Sequence, residues 1–401
     1  MNRNFGKRDK VKTRINKLER GKMSDEEIKY AYWIYCVNGI GKTKIFKLYN
    51  KYQQYKTIYL LSEEQLEIDL GKKDTAAIIN SKQKWDVQRK YEMLKDKGIS
   101  FVPFSDINYP EKLKNIPDPP FALFVRGRFP DANKKTVAVI GARICSEYGR
   151  YVARKLGELL AECQIQVISG MAMGVDGICQ RGAIQAGGNV FAVLGNGVNV
   201  CYPSENRDVF EAIPKNGGVI SEYQPDAEPK AFYFPPRNRI ISGLADIVVV
   251  VEAKEKSGTL ITVDMALEQG KEVWIVPGRI TDPLSKGCNK LLRQGAEILY
   301  DMNEFVGQLD YVNKKNILQS KECEEVKGEV IKSFEKDEII MRIHTKIVLD
   351  NVDLYPKSIQ EIYEIVSRVK DVNISEVMME LVLLESENRI IGEGNYYCKS
   401  V

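Results

Sequence analysis

Histidine is almost missing from this chain: His344 is the only one in 401 residues. The eight cysteines (Cys36, Cys145, Cys163, Cys179, Cys201, Cys288, Cys323 and Cys398) are scattered and include no C-x-x-C pair. A zinc site draws on clustered cysteine and histidine ligands, so neither a metal nor another cofactor is expected. A histidine-centred triad is excluded in the same way, because no nucleophile motif stands near His344. Scattered thiols in a chain this long suit a reducing compartment. Long apolar runs are lacking too. The greasiest, Ile247–Val251, is five residues long, against the roughly 20 a membrane span needs. The N-terminus is polar and basic, without an apolar signal segment. A cytoplasmic protein with no membrane partner is the expectation.

A basic folded body is also absent. The chain carries +4 overall, but residues 1–22 hold nine Lys/Arg against Asp9 and Glu19, a surplus of seven. Taken from +4, this leaves −3 for residues 23–401, so a nucleic-acid site there has to be a local patch. Two nucleotide signatures are missing as well. Gly141-Ala-Arg-Ile-Cys-Ser146 lacks the second and third glycines of a dinucleotide loop, and Gly39-Ile-Gly-Lys42-Thr43 lacks the upstream glycine and the strand of a phosphate-binding Walker loop.

What is present falls into five regions. Residues 1–22 read as a disordered basic tail. Residues 23–100 read as a helical domain, opened by Ser24 and the acidic turn Asp25-Glu26-Glu27. Val37-Asn-Gly39-Ile40-Gly41 then links two helical stretches as in a helix-hairpin-helix (SAM-like) fold. Residues 101–312 alternate short β-branched runs with helices. Strands are expected at 137–140, 166–169, 190–194, 219–221, 247–251 and 272–276, with helices after most of them. That pattern means α/β architecture, a Rossmann-like parallel sheet with its ligand beyond the carboxyl ends of the strands. Residues 313–337, rich in Lys and Glu, read as a linker. Residues 338–401 read as three short helices and a β-hairpin, a winged-helix-like domain. Its third helix carries Glu376, Glu380 and Glu385, and such a face repels phosphate, which favours protein contact there.

Glycines cluster at the expected strand ends: Gly141-Ala-Arg143, Ser169-Gly170, Gly195-Asn-Gly197 and Ser257-Gly258-Thr259. Such turns let backbone N–H groups approach an anion, and a helix start adds partial positive charge. Arg237-Asn238-Arg239 opens a further helix. Its guanidinium groups match phosphate geometry, or alternatively pair with Glu222 or Asp246. Tyr202 and Phe234 are loop aromatics on the same edge, suited to stacking bases or to packing under a loop.

Together these residues resemble the DNA-processing protein A (DprA/Smf) family. The resemblance lies in Ser169-Gly-Met-Ala-Met-Gly-Val-Asp176, Gly195-Asn-Gly-Val-Asn-Val-Cys-Tyr-Pro203, Phe234-Pro-Pro-Arg-Asn-Arg-Ile-Ile-Ser-Gly243, Lys256-Ser-Gly-Thr-Leu-Ile-Thr262 and Val276-Pro-Gly278. It implies single-stranded DNA binding without catalysis, homodimerisation, and loading of the RecA recombinase onto incoming DNA in natural transformation. Carried over, the phosphate pocket uses Arg143, Ser169, Gly170, Arg237, Asn238, Arg239, Lys256, Ser257, Gly258 and Thr259, with Arg207 extending its basic rim. Leu267, Leu291 and Leu292 are candidates for the dimer interface, or for core. The same Rossmann variant also resembles nucleotide phosphoribohydrolases of the LOG type. Those carry a Glu three residues after the glycine turn, where this chain has Thr262, so the proton-transfer carboxylate is missing.

Overall fold

The computed structural model describes residues 23–317, 347–352, 357–369, 372–387, 389–393 and 396–399. The basic tail lies outside the described residues, as does most of the expected linker. Residues 23–145 and 153–313 form one compact unit; a second gathers the described part of 314–401 with the short stretch 146–152.

The first unit is built on a nine-stranded sheet. Its strands are β1 (Ile99–Pro103), β2 (Ala122–Gly127), β3 (Thr136–Ile140), β4 (Gln166–Ser169), β5 (Val190–Val193), β6 (Gly218–Ser221), β7 (Ile247–Val250), β8 (Glu272–Ile275) and β9 (Glu297–Ile298). Their order is β1-β2-β6-β5-β4-β3-β7-β8-β9. From β6 to β9 all neighbours are parallel, and β3 and β7 are buried at every position, which explains the unbroken apolar runs Val137–Ile140 and Ile247–Val250. The six expected strands are all present. The sequence reading missed the two-residue edge strand β9, and it missed β1 and β2, which pair antiparallel with each other and add antiparallel to β6. They precede the alternating strand–helix pattern, and no crossover helix announces them. The sheet is therefore mixed, though mostly parallel.

The chain moves outward from β3 in both directions, to β4 on one side and β7 on the other. The carboxyl ends of these strands thus border a topological switch point, where open α/β sheets leave a crevice. Helices α8 (Glu147–Glu162), α9 (Val175–Gln185), α10 (Arg207–Asn216), α11 (Phe234–Leu244), α12 (Gly258–Glu268) and α13 (Lys286–Arg293) cover the sheet. A helix over Met302–Ile317 runs through the boundary that the sequence suggested at 312.

Seven short helices precede α8: α1 (Asp25–Tyr35), α2 (Lys42–Tyr52), α3 (Tyr55–Leu60), α4 (Glu63–Leu70), α5 (Lys72–Lys84), α6 (Val87–Asp96) and α7 (Glu111–Lys114). Ser24 caps α1 by accepting from the Glu27 amide at 3.3 Å. The α1–α6 layer joins the sheet edge through aromatic contacts. Tyr35 stacks on Phe121 at 5.8 Å, Tyr32 meets Phe101 at 5.4 Å and Phe46 meets Phe121 at 5.1 Å. In the α1–α2 turn Gly39 has φ +86°, a conformation that favours glycine. The nearby Lys42 and Lys44 are paired with Asp118 and Asp74.

In the second unit, helices over 347–351, Ile359–Val369 and Ile374–Ser386 enclose Val348, Ile362, Val366, Val377, Leu381 and Leu384. The expected hairpin, β11 (Ile390–Glu393) with β12 (Tyr396–Lys399), is joined by a two-residue strand, β10 (Lys357–Ser358), in the order β10-β12-β11.

Candidate nucleic-acid interface

A cavity of about 360 Å³ lies at the switch point. Gly141–Ile144 after β3 form one wall, and Lys254 with Ser257–Thr259 at the start of α12 form another. Ala172 and Asp176 close it from the β4 side, and Phe234–Asn238 from α11. Arg143, Arg237 and Lys254 face a single carboxylate, Asp176, so the cavity is locally cationic on a body that is acidic overall.

The two arginines differ in kind. Arg143 is exposed and lies 5.7 Å from the centre of the Phe234 ring. Arg237 is 5% exposed and 5.9 Å from the same ring. Its guanidinium donates to the carbonyls of Gly170 (2.9 Å) and Val193. Asp176 is buried beside it and accepts from the Gly170 amide at 3.0 Å. Burial pushes Arg237 down to about 10, opposed by the Asp176 charge. Burial also lifts the Asp176 carboxyl above its ordinary range, opposed by Arg237. Each thus stabilises the other's charge, and together they tie α11 and α9 to the ends of β4 and β5.

Phe234 is the centre of the aromatic edge. Tyr202, 43% exposed, meets its ring at 5.6 Å and 32°. On the facing wall, α12 starts without a side-chain cap, and the buried Ser257 hydroxyl finds no hydrogen-bond partner. Open amides at a helix start and an unpartnered hydroxyl suit an anionic oxygen. Thr259, in contrast, gives its hydroxyl to the Gly141 carbonyl at 3.1 Å and latches the two walls together.

A model of the DNA recombination-mediator protein A family matches residues 100–310, just over half the chain. The chain belongs to this family. It is 38% identical to DNA processing protein DprA of Bacillus subtilis, over 54% of this chain and 73% of that one. It is 35% identical to the Streptococcus pneumoniae protein of the same name, over 62% of this chain and 90% of that one. The X-ray structure of the Streptococcus pneumoniae protein superposes with a TM-score of 0.60 at 30% identity, covering 76% of this chain and all of that one. The family match spans every strand from β2 to β9 and the whole cavity.

The structure brings Arg143, Phe234, Arg237, Asn238, Ser257, Gly258 and Thr259 together around the cavity. Other expected residues stand elsewhere. Ser169 is fully buried and donates to the Val139 carbonyl at 2.6 Å. Gly170 lies behind Arg237, where an added Cβ would come 2.7 Å from the guanidinium. Arg239 is buried among Glu222, the Asp118 carboxylate and the Pro236 carbonyl, the ion pair that the sequence had left as the alternative. Arg207 is exposed and pairs with Glu211 at 3.8 Å. Lys256 is exposed but does not line the cavity, whereas its neighbour Lys254 does. Lys254 and the apolar rim of Ile144 (82% exposed) and Ile261 escaped the sequence reading. Of the dimer candidates, Leu267 is 57% exposed, while Leu291 and Leu292 pack against the core.

No helix among the described residues is long and apolar enough to cross a membrane.

Proposed function

We propose that this cavity binds single-stranded DNA without regard to sequence, and that the protein delivers such strands to the RecA recombinase during DNA uptake and recombination. The observation that carries the reading is the grouping of Arg143, Lys254, the uncapped start of α12 and the unpartnered Ser257 hydroxyl around one aromatic edge. Cations and amides take phosphates, while Phe234 and Tyr202 offer a stacking surface that paired bases cannot reach. The role is binding rather than catalysis. Thr262 is buried in the cavity wall, and the one carboxylate there, Asp176, is buried and accepts from the Gly170 amide. Exposed Leu267 is the best placed of the apolar candidates for a homodimer contact. The C-terminal unit fits protein contact, since Met378, Met379 and Val382 stand exposed on its acidic third helix.

The test is fluorescence anisotropy with labelled single-stranded and duplex oligonucleotides. Arg143→Glu with Lys254→Glu is expected to remove single-strand binding and RecA loading together, while Lys256→Glu changes little. Equal affinity for duplex, or full affinity in the double variant, refutes the assignment. Hydrolysis of a nucleoside monophosphate would favour the phosphoribohydrolase instead.

A further inference from the structure

A second cavity, of about 540 Å³, lies between α1, α5, α6 and the loop Gln224–Ala227 that follows β6. It shares no lining residue with the first. Its size is that of a small-molecule site. Three lysines reach it: Lys84 at the end of α5, Lys90 on α6 and Lys97 just beyond α6. The one carboxylate in its wall, Asp226, is already engaged. It pairs with Lys97 at 3.4 Å and accepts from the Asn199 amide at 2.7 Å. Lys84 and Lys90 form no ion pair among the described residues, so the wall keeps a surplus of positive charge.

Two aromatic rings add a second property. Trp85 and Tyr32 both line the cavity and meet edge to face at 5.7 Å and 83°. The Trp85 indole N–H is buried and has no acceptor, whereas Trp33 gives its N–H to the Ser81 hydroxyl at 3.0 Å. A buried donor without a partner is costly, which points to an acceptor arriving with an occupant. Asn38, Asn80 and Gln224, whose amides are donors and acceptors, also line the cavity.

We propose that this cavity is a second nucleotide site, holding one base against Trp85 and Tyr32 and its phosphate on Lys84 and Lys90. Aromatic faces with lysines beside them are the chemistry of single-nucleotide recognition. The floor of the cavity is tied to the turn behind Phe234. The Gly197 amide donates to the Ala227 carbonyl at 2.8 Å, and the Asn199 amide donates to Pro225 at 2.9 Å. The occupant is either a free mononucleotide or one unit of a longer strand, and the two share this chemistry.

The experiment is a titration of the full chain, following tryptophan fluorescence, with thymidine 5′-monophosphate and, separately, with oligothymidylate. Trp85 is the reporter, and its signal is isolated by comparison with Trp85→Phe. Saturable quenching that disappears in Trp85→Phe is expected. In Lys84→Glu with Lys90→Glu, the midpoint should move about tenfold or more to higher ligand, with unchanged circular dichroism. Quenching by the monophosphate assigns a free nucleotide, and quenching by oligothymidylate alone assigns a strand unit. Absence of Trp85 quenching with both probes, or an unmoved midpoint in the lysine variant, overturns the proposal.

Discussion

Replacing Arg237 by methionine keeps most of the side-chain volume and removes the charge. The guanidinium is 5% exposed, and it and the Asp176 carboxylate, itself 7% exposed, both lie against Gly170 without forming an ion pair. Removing the guanidinium leaves the buried Gly170 and Val193 carbonyls without their donor and the Asp176 charge without the cation that opposes its burial, a cost of about 1–3 kcal/mol. The loss has a pH signature. Burial already holds Asp176 above its ordinary range, and Arg237 works against that shift. Without the arginine the carboxyl rises further. A carboxyl raised in the folded state binds protons more readily there than in the unfolded chain, where it titrates near 3.9. The penalty is therefore absent below about pH 4 and grows as pH rises through the folded-state value. Relative to the native chain, Arg237→Met should lose about 2 kcal/mol or more at pH 7. That deficit should narrow in acid by up to about 1.4 kcal/mol per pH unit. Urea unfolding of both proteins at pH 7 and pH 5 measures it, and adding Asp176→Asn should restore much of the loss. A deficit below about 1 kcal/mol, or one that Asp176→Asn deepens, would refute buried Arg237 as the organising group of this edge.

Arg143→Ala should leave stability within about 0.5 kcal/mol. It should flatten the slope of log affinity against log salt by about 0.7, the share of one single-strand phosphate contact. Phe234→Ala should weaken oligonucleotide binding by about 1–3 kcal/mol for each base that stacks there, read by anisotropy. Gly170→Ala should destabilise the fold by about 1–3 kcal/mol, since its Cβ would press on Arg237 and Asp176. Gly258→Ala has open space within 4 Å; it should keep or raise the melting temperature while weakening strand binding.

Much of this fold was legible because parallel strands are buried on both faces. Val137–Ile140 and Ile247–Val251 stand out as unbroken apolar runs, and the glycines after them mark the turns into helices. The antiparallel pair β1–β2 was not legible. Ile99–Pro103 straddles the suggested boundary at 100, and its partner follows a single short helix and a run of prolines. The site was legible in residue type but not in orientation. Arg237 and Arg239 sit two apart on one helix start, yet one lines the cavity and the other turns to Glu222. Only the position of acids distant in sequence decides that. Lys254 and Lys256 are exchanged between expectation and structure for the same reason. Lys254, Glu255 and Lys256 are all exposed, so which lysine reaches the cavity is set by the path of the turn rather than by composition.

The glycines carry the sharper lesson about what this site is. Four glycine turns at strand ends suggested one extended phosphate cradle, yet most of these glycines answer to the protein itself. A Cβ on Gly195 would meet the Phe234 ring at 2.6 Å, one on Gly141 the Val175 side chain at 2.6 Å, and one on Gly197 the Pro225 carbonyl at 2.1 Å. Their smallness lets the loops close against one another and holds Phe234 in place. Gly258 alone of the turn glycines meets nothing, at the one wall where helix amides and a hydroxyl remain unmatched. The anion site thus narrows from a ring of loops to the start of α12, with Arg143 and Lys254 as its exposed charges and Phe234 as its aromatic face. A site with so few exposed cations on a body of net −3 holds one stretch of strand weakly. Its affinity must then come from repetition along the DNA, through neighbouring copies, rather than from depth in any one pocket.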